Sequence, residues 1–199
     1  MEGKLKNKKQ YRYKNYDYSQ GGMYFVTICT KEREMFFGEI NCGKMELSEI
    51  GLIADKFWQE IPIHLPFVIL DAFAIMPNHI HGIIEIEKDG VVDSVGTGHC
   101  PVPTAATGTA KPTGSKFGHV TPKSLSTIIG SYKSIVTKNI NLQIQNFGFA
   151  WQPRFNDRII RDGEELNRIR EYIQNNPAGW ERDRNNKNDS LDNYYKNNE

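Results

Sequence analysis

The sequence has little cysteine and no long hydrophobic run, and each absence narrows the class of protein. The chain has three cysteines, an odd number without metal-type spacing, namely Cys29, Cys42 and Cys100. They favour reduced thiols in a cytosol over a disulfide framework. No stretch of about 18 apolar residues occurs, so no membrane span is expected, and the N-terminus lacks the apolar segment of a secretory signal. We therefore expect a cytoplasmic protein without a membrane partner.

Aromatic side chains are almost absent from residues 88–122, where Phe117 is the only one among many glycine, proline and threonine residues. This composition cannot bury enough apolar area to offset the entropy of ordering, so it predicts a flexible insertion. The chain that follows has few strand-like runs of its own and is expected to complete the same fold. We therefore predict one domain over residues 19–181, an N-terminal arm over 1–18 and a disordered polar tail over 182–199.

Positive charge is concentrated near the N-terminus, although the whole chain has a net charge of only +1. Residues 1–18 contain six basic and two acidic side chains, interleaved with four tyrosines. Cations bind phosphates and aromatic rings stack on bases, so this arm suits single-stranded or looped nucleic acid. A solvated basic tail without a partner fits the same composition. The DNA-binding candidates in the arm are Lys8, Lys9, Arg12 and Lys14.

Hydrophobic periodicity predicts the order β, ββ, α, ββ, α, β, α along the chain. Each of the three helices is expected to begin at a polar N-cap, namely Ser48, Ser124 or Ser126, and Asp162. Pro177 should end the last helix. This order favours an α+β fold with a mostly antiparallel sheet covered by helices. The extended stretches are residues 24–30, 36–40, 44–47, 68–76, 79–87, 147–155 and 157–161.

Two histidines stand at the start of the strand that follows the Pro77-Asn78 turn. Side chains alternate between the faces of a strand, so His79 and His81 point the same way and Ile80 points to the opposite layer. Two neutral imidazoles side by side can hold one divalent cation together with a further ligand. Two surface histidines without a metal fit the same alternation.

Tyr172 and Asn176 lie four residues apart on the third predicted helix, and therefore on one face of it. A phenol that attacks a phosphodiester needs a cation on the scissile phosphate and a fixed position close to it. The Asn176 oxygen can complete, with His79 and His81, a mixed nitrogen and oxygen site suited to Mn or Mg. Taken alone, Tyr172 is also explained by a packing role on an amphipathic helix. Asn176 is also explained as the C-terminal residue of a helix before a proline.

Several motifs, in order, resemble those of the single-tyrosine HUH transposases, and among them the REP-associated tyrosine transposases of bacteria. The resemblance implies a ferredoxin-like α+β domain with the histidine pair on a central strand. In related insertion-sequence enzymes the third metal ligand is usually Gln at the position of Asn176, and Asn is one methylene shorter. The matching segments are residues 76–81 (MPNHIH), 124–134 (SLSTIIGSYKS), 151–155 (WQPRF) and 168–177 (RIREYIQNNP).

The resemblance also implies an activity, in which Tyr172 cleaves single-stranded or hairpin DNA with the help of Mg or Mn bound by His79, His81 and Asn176. The attack would give a 5′-phosphotyrosine and a free 3′-OH. Reversal with another 3′-OH would rejoin strands without a nucleotide energy source. In related enzymes the tyrosine helix can act from a partner subunit, which implies a homodimer.

The sequence leaves alternatives to this function and to this nucleophile. A catalytically silent DNA- or RNA-binding protein of the same fold would also use the basic, tyrosine-rich arm. A metal-dependent hydrolase with water as nucleophile is a further class. Tyr132 is a rival nucleophile, but Ile128 and Val136, one turn away on either side, favour a packing role. The DNA-binding candidates outside the arm are Lys133 and Arg154.

Overall fold

The computed structural model describes residues 21–87, 123–144, 148–183 and 185–186. The expected arm (1–18) and the expected insertion (88–122) lie outside these residues. The strands are β1 (Gly22–Cys29), β2 (Gly38–Asn41), β3 (Lys44–Leu47), β4 (Val68–Met76), β5 (His79–Ile86) and β6 (Asn156–Ile160). The helices are α1 (Glu49–Gln59), α2 (Ile61–His64), α3 (Leu125–Gln143) and α4 (Gly163–Asn175), with 3₁₀ turns at Lys31–Arg33 and Pro177–Arg182.

Four strands form one antiparallel sheet in the order β4-β5-β1-β6, and β2 pairs with β3 in a separate hairpin. Strand β5 is central, since it pairs with β1 on one side and with β4 on the other. Without the hairpin and the short α2, the order is β1-α1-β4-β5-α3-β6, which is the arrangement of ferredoxin-like domains. The structure therefore confirms the predicted α+β class with helices packed on an antiparallel sheet.

Each long helix begins at a polar cap that the sequence predicted. Ser48, Ser124 and Asp162 each accept a hydrogen bond from the backbone N–H three residues later. This bond satisfies one of the donors that a first helical turn leaves unpaired. None of the helices in the described ranges is both long and apolar enough to cross a membrane.

Two of the predicted extended stretches differ from the structure. Strand β2 begins at Gly38 rather than at residue 36, because Phe37 turns into the core and donates its N–H to Pro77 O at 3.0 Å. The described residues of the predicted stretch 147–155 form only an isolated bridge, between Thr30 and Trp151, and strand β6 begins at Asn156. Pro153 lies before it and has no N–H for a strand ladder.

The polar residues after position 181 differ from the expected disordered tail. Asp183, Asn185 and Asn186 are buried, and Asn78 donates to Asn185 O at 2.8 Å. Aspartate and asparagine side chains can hydrogen-bond to backbone groups as well as to water. A polar composition is therefore compatible with a packed segment. Residues 187–199 lie outside the described part of the chain.

The sheet has a buried face on each side, because α1 and α3 cover one face and α4 contacts the other. Because successive side chains of β5 point to opposite faces of the sheet, they enter these two interiors in turn. Ile80 and Ile84 lie in the core under α1 and α3, whereas Ile83 lies in the smaller core under α4. His79 and His81 share the parity of Ile83 and therefore face α4.

Gly82 on β5 makes room for the large ring of Trp58 from α1. A Cβ at Gly82 would lie 2.2 Å from Trp58 Cζ2, which no real side chain tolerates. Trp58 is fully buried and packs edge-on against Tyr132 of α3, with ring centroids 5.2 Å apart. The absence of a side chain at position 82 therefore allows α1 to approach the sheet closely.

Gly82→Ala should destabilise the fold by about 1–3 kcal/mol, because the buried Trp58 ring has to move. Urea unfolding monitored by circular dichroism measures the change. Gly130→Ala in α3 is the matched control, since its added methyl group meets nothing within 4 Å. Alanine is favoured over glycine inside helices by about 1 kcal/mol, so this control should be neutral or stabilising. Wild-type stability of Gly82→Ala would contradict the close packing.

Candidate metal and tyrosine site

His79 and His81 occupy the first and third positions of β5, directly after the turn at residues 77–78. Both side chains are buried. Because alternate residues of a strand share a face, both imidazoles point toward α4 rather than toward α1 and α3. The structure thus brings the two histidines together on one face, as their spacing predicts.

Hydrogen bonds fix the orientation of both imidazole rings. The side-chain NH2 of Asn78 donates to two backbone carbonyls, at 3.1 and 2.8 Å. Its Oδ1 lies 2.8 Å from His79 Nδ1 and accepts that N–H, so Nε2 of a neutral His79 carries no proton. His81 Nδ1 lies 2.9 Å from Thr27 Oγ1. Metal-binding histidines typically make such a hydrogen bond through the ring nitrogen that does not bind the metal, which here is Nδ1.

The Nε2 atoms of His79 and His81 lie 3.0 Å apart. Nitrogen atoms this close in a buried place need a proton or a cation between them. Adjacent ligands of an octahedral ion with bonds of about 2.1 Å are separated by about 3.0 Å. The spacing therefore fits two neighbouring ligands of one divalent ion.

Asn176 caps the C-terminal end of α4, one turn after Tyr172, and lines the same cavity as Tyr172 and His81. It is buried, and its Oδ1 has no hydrogen-bond partner among the described residues. A buried polar atom without a partner costs about 1–3 kcal/mol, and a cation would satisfy this oxygen. With the two imidazoles it gives a nitrogen and oxygen donor set that fits Mg or Mn.

The phenol of Tyr172 stands beside the histidine pair and remains accessible to solvent. Its hydroxyl oxygen lies 3.2 Å from His81 Nε2, and the residue is 45% exposed. The Tyr172 ring meets Phe25 edge-on at a centroid distance of 6.1 Å, and Phe25 stacks on His81 at 5.3 Å. These aromatic contacts hold the phenol at the edge of the buried site.

A cavity of about 930 Å³ opens beside Tyr172. Its lining includes three arginines, Arg158, Arg168 and Arg182, and three acidic residues, Glu165, Glu171 and Asp183. Arg158 forms a salt bridge with Glu165 at 2.5 Å while its own side chain stays 66% exposed. Guanidinium groups are well suited to binding phosphate. The cavity therefore combines an accessible hydroxyl with guanidinium groups of the kind that bind phosphate, alongside carboxylates.

Asp183 is a further candidate ligand, to which its sequence context does not point. One oxygen of its carboxylate and one nitrogen of each of His79 and His81 all lie within 4.8 Å of one another, and all three residues are buried. The only signal in the sequence is an acidic residue soon after the tyrosine helix, and its polar neighbours point to disorder. The structure thus contains a His-His-Asp group of metal-binding type.

Tyr132, the rival nucleophile, is buried on the opposite side of the sheet from the histidines. Its hydroxyl donates to Ala54 O at 2.9 Å, and burial raises the pKa of this phenol well above its usual value. A neutral, hydrogen-bonded phenol in the core cannot reach a phosphate. The structure agrees with the packing role that its apolar helix neighbours predict.

The two DNA-binding candidates outside the arm have different surroundings. Lys133 Nζ donates to Gln152 O at 2.8 Å and to Arg154 O at 3.3 Å, and burial lowers the pKa of this lysine to about 8. Lys133 therefore holds a loop in place. Arg154 lines a second cavity, of about 540 Å³, together with Arg33. The candidates that lie outside the described residues are Lys8, Lys9, Arg12 and Lys14.

A salt bridge ties the tyrosine helix to the edge of the sheet. Arg170 on α4 donates from Nε to Asp71 Oδ1 at 2.9 Å and from Nη2 to Oδ2 at 2.5 Å. Asp71 lies in the irregular part of β4, where the pairing register shifts. The hydrogen bond from Arg170 holds the pKa of the Asp71 carboxyl below its usual range. This pair fixes α4, and therefore Tyr172, relative to the strands.

Comparison with solved structures identifies the fold class. The structure is similar to that of a REP-associated tyrosine transposase bound to a REP hairpin, with a TM-score of 0.52 and 17% identity over 84% of this chain and 72% of that one. A second match, to a proposed transposase of Deinococcus radiodurans R1, has a TM-score of 0.43 and 14% identity over 82% and 95% of the two chains. The chain therefore has the fold of the first of these proteins.

Sequence comparison places the chain in a family. A Haemophilus influenzae (strain Rd) protein of uncharacterised function is 36% identical over 179 residues, which cover 90% of this chain and 93% of that protein. The chain belongs to the same family as this Haemophilus protein. No family profile matches the sequence.

Asp71→Asn should loosen α4 and lower the melting temperature at pH 7 by a few degrees, because it removes the charge that Arg170 binds. The folded pKa of Asp71 is depressed, so its contribution is present above the usual aspartate pKa of about 4 and is lost as pH falls through the folded value. The difference from wild type should therefore shrink below about pH 4.

Thermal melts followed by circular dichroism across this pH range measure the effect. Asp55→Asn is the matched control, since Asp55 accepts a hydrogen bond from Gln59 at the exposed surface of α1. The control should show a smaller loss than Asp71→Asn at pH 7. Equal melting temperatures of Asp71→Asn and wild type at pH 7 would contradict the anchoring role of the pair.

Proposed function

We propose that this protein is a single-tyrosine, transposase-like enzyme that cleaves and rejoins single-stranded DNA, with Tyr172 as nucleophile. The observation that carries the proposal is the position of the Tyr172 hydroxyl, 3.2 Å from His81 Nε2, beside a cavity lined by arginines. A phenol held next to a candidate metal site and open to a large ligand suits attack on a phosphodiester.

His79, His81 and Asn176 are the residues proposed to hold a divalent ion, Mg or Mn. Such an ion, when bound, supplies positive charge that offsets the charge developing on the scissile phosphate. The buried Asn176 oxygen without a partner supports this assignment. Asn78 and Thr27 orient the imidazoles from behind through their Nδ1 atoms.

In the proposed step the Tyr172 oxygen forms a bond to phosphorus while the bond from phosphorus to the 3′ oxygen breaks. The phenolic proton is lost to solvent and the departing 3′ oxygen takes up a proton. The products are a 5′-phosphotyrosine and a free 3′-OH. Attack by another 3′-OH reverses the step and joins two strands. Since one phosphodiester replaces another, no nucleotide is consumed.

The proposed substrate is single-stranded DNA that carries a hairpin. The REP-associated transposase whose fold this chain shares was solved with a REP hairpin. In this chain, Arg158, Arg168 and Arg182 line the cavity beside the nucleophile, and the basic arm over residues 1–18 offers further phosphate contacts. Arg154 is a proposed DNA contact in the second cavity. Lys133 instead holds the loop that contains Arg154, through hydrogen bonds to the Gln152 and Arg154 carbonyls.

In the described part of one chain, Tyr172, His81 and Asn176 line the same cavity. Tyr172 lies next to His81 of its own chain, which supports cleavage by the tyrosine of the same chain. A homodimer of this protein, as the resemblance implies, would therefore join two complete sites rather than build one site from two chains.

Tyr172→Phe should abolish strand cleavage and covalent adduct formation while DNA affinity stays near that of wild type. The change removes one oxygen and keeps the ring that packs against Phe25 and His81. Loss of a covalent nucleophile lowers rates by about a thousandfold or more. The measurement is a denaturing gel of labelled, hairpin-bearing single-stranded DNA after incubation with Mn, together with a binding titration of the same DNA.

Tyr132→Phe is the matched control, because it removes a tyrosine hydroxyl that bonds Ala54 O inside the core. It should cleave at close to the wild-type rate, at a cost in stability of about 1 kcal/mol. An adduct in Tyr172→Phe that is absent from Tyr132→Phe would show that the wrong tyrosine is assigned. Binding without cleavage by wild type would instead favour a catalytically silent DNA-binding protein.

A further inference from the structure

The segment after α4 folds back onto the turn at residues 77–78 and onto His79, which follows that turn. The 3₁₀ turn Pro177–Arg182 places the Trp180 ring 6.0 Å from the His79 ring. Further on, the Asn185 carbonyl accepts a hydrogen bond from the side chain of Asn78 at 2.8 Å. Asp183 lies between these two contacts and is only 9% exposed. The backbone is therefore held on both sides of Asp183.

The Asp183 carboxylate shares a small volume with both imidazoles. One of its oxygens and one nitrogen of each of His79 and His81 lie within 4.8 Å of one another. Its Oδ1 accepts the backbone N–H of Asn185 at 2.6 Å, and this bond sets the orientation of the carboxylate. Three buried donor groups from two distant segments therefore converge at one place.

The negative charge of the Asp183 carboxylate makes a divalent cation a suitable ligand for the space between Asp183, His79 and His81. A buried carboxylate costs several kcal/mol unless an opposite charge compensates it. Within the described part of the chain, the salt bridges join other groups and none pairs Asp183 with a lysine or arginine. Two imidazoles and one carboxylate form an established donor set for divalent ions that keep open coordination positions.

We infer that Asp183 is an anionic ligand of the metal site, alongside His79 and His81. The inference rests on the proposed function, whose metal site it extends. Asn176 offers a neutral amide oxygen, whereas Asp183 offers a charged oxygen, which binds a hard divalent ion more strongly. Four protein ligands on an octahedral ion leave about two positions for phosphate oxygen and water.

Calorimetric titration of the full chain with Mn tests this inference without relying on activity. Asp183→Asn keeps the shape of the side chain and removes its charge, so Mn affinity should fall by about tenfold or more. Glu181→Gln is the matched control, because Glu181 is an exposed carboxylate two residues earlier, and it should keep wild-type affinity. His79→Ala should lose binding and reports separately on the metal site of the proposed function.

Asp183→Cys distinguishes a direct ligand from a residue that only positions the histidines. A thiolate bonded to Co(II) gives a sulfur-to-metal charge-transfer absorption in the near ultraviolet. Wild type retains its own three cysteines and is therefore the blank for this spectrum. A band that appears only in Asp183→Cys supports direct ligation, and this variant provides the test if Asp183→Asn does not fold.

Two results would overturn the inference while leaving the proposed function intact, provided that His79→Ala has lost Mn. The first is wild-type Mn affinity in Asp183→Asn. The second is weakened Mn binding in Asp183→Asn without a cobalt band in Asp183→Cys, which would make Asp183 a positioning residue. Unchanged binding in His79→Ala, or no binding by wild type, would contradict the metal site itself and the inference with it.

Discussion

The pairing of β5 between β4 and β1 is the constraint on which the rest of the site depends. Because β5 is central and covered on both faces, alternate residues along it serve two different interiors. Ile80 and Ile84 complete the core under α1 and α3, while His79 and His81 face α4. A slip of one residue in register would exchange the two sets and bury the imidazoles among apolar side chains. Packing of the larger core therefore fixes the positions of the candidate ligands.

The parts of the fold and the site that depend on local periodicity could be predicted from the sequence. Strand alternation placed both histidines on one face, and a spacing of four placed Tyr172 and Asn176 on one side of a helix. The helix caps and the order of the elements also follow from patterns within a few residues of each other. The same kind of pattern, apolar neighbours one turn away, separated Tyr132 from Tyr172.

The parts that depend on contacts between distant residues could not be predicted. Asp183 reaches the histidines because Asn78 binds Asn185, and those two residues are 107 positions apart. Polar composition alone does not distinguish a solvated asparagine from one that takes part in a buried hydrogen bond. The hydrogen bonds of Lys133 could not be predicted for a similar reason. The carbonyls that it binds, of Gln152 and Arg154, belong to a loop whose path is set by tertiary packing.

We propose that Tyr172 becomes covalently linked to DNA, and mapping the adduct tests this proposal most directly. Wild-type protein is incubated with a hairpin-bearing single-stranded oligonucleotide and Mn, then digested with nuclease and trypsin for mass spectrometry. We predict a nucleotide phosphate on Tyr172, in the tryptic peptide that covers residues 171–182. A nucleotide on any other residue, or DNA cleavage without a covalent adduct, would contradict it.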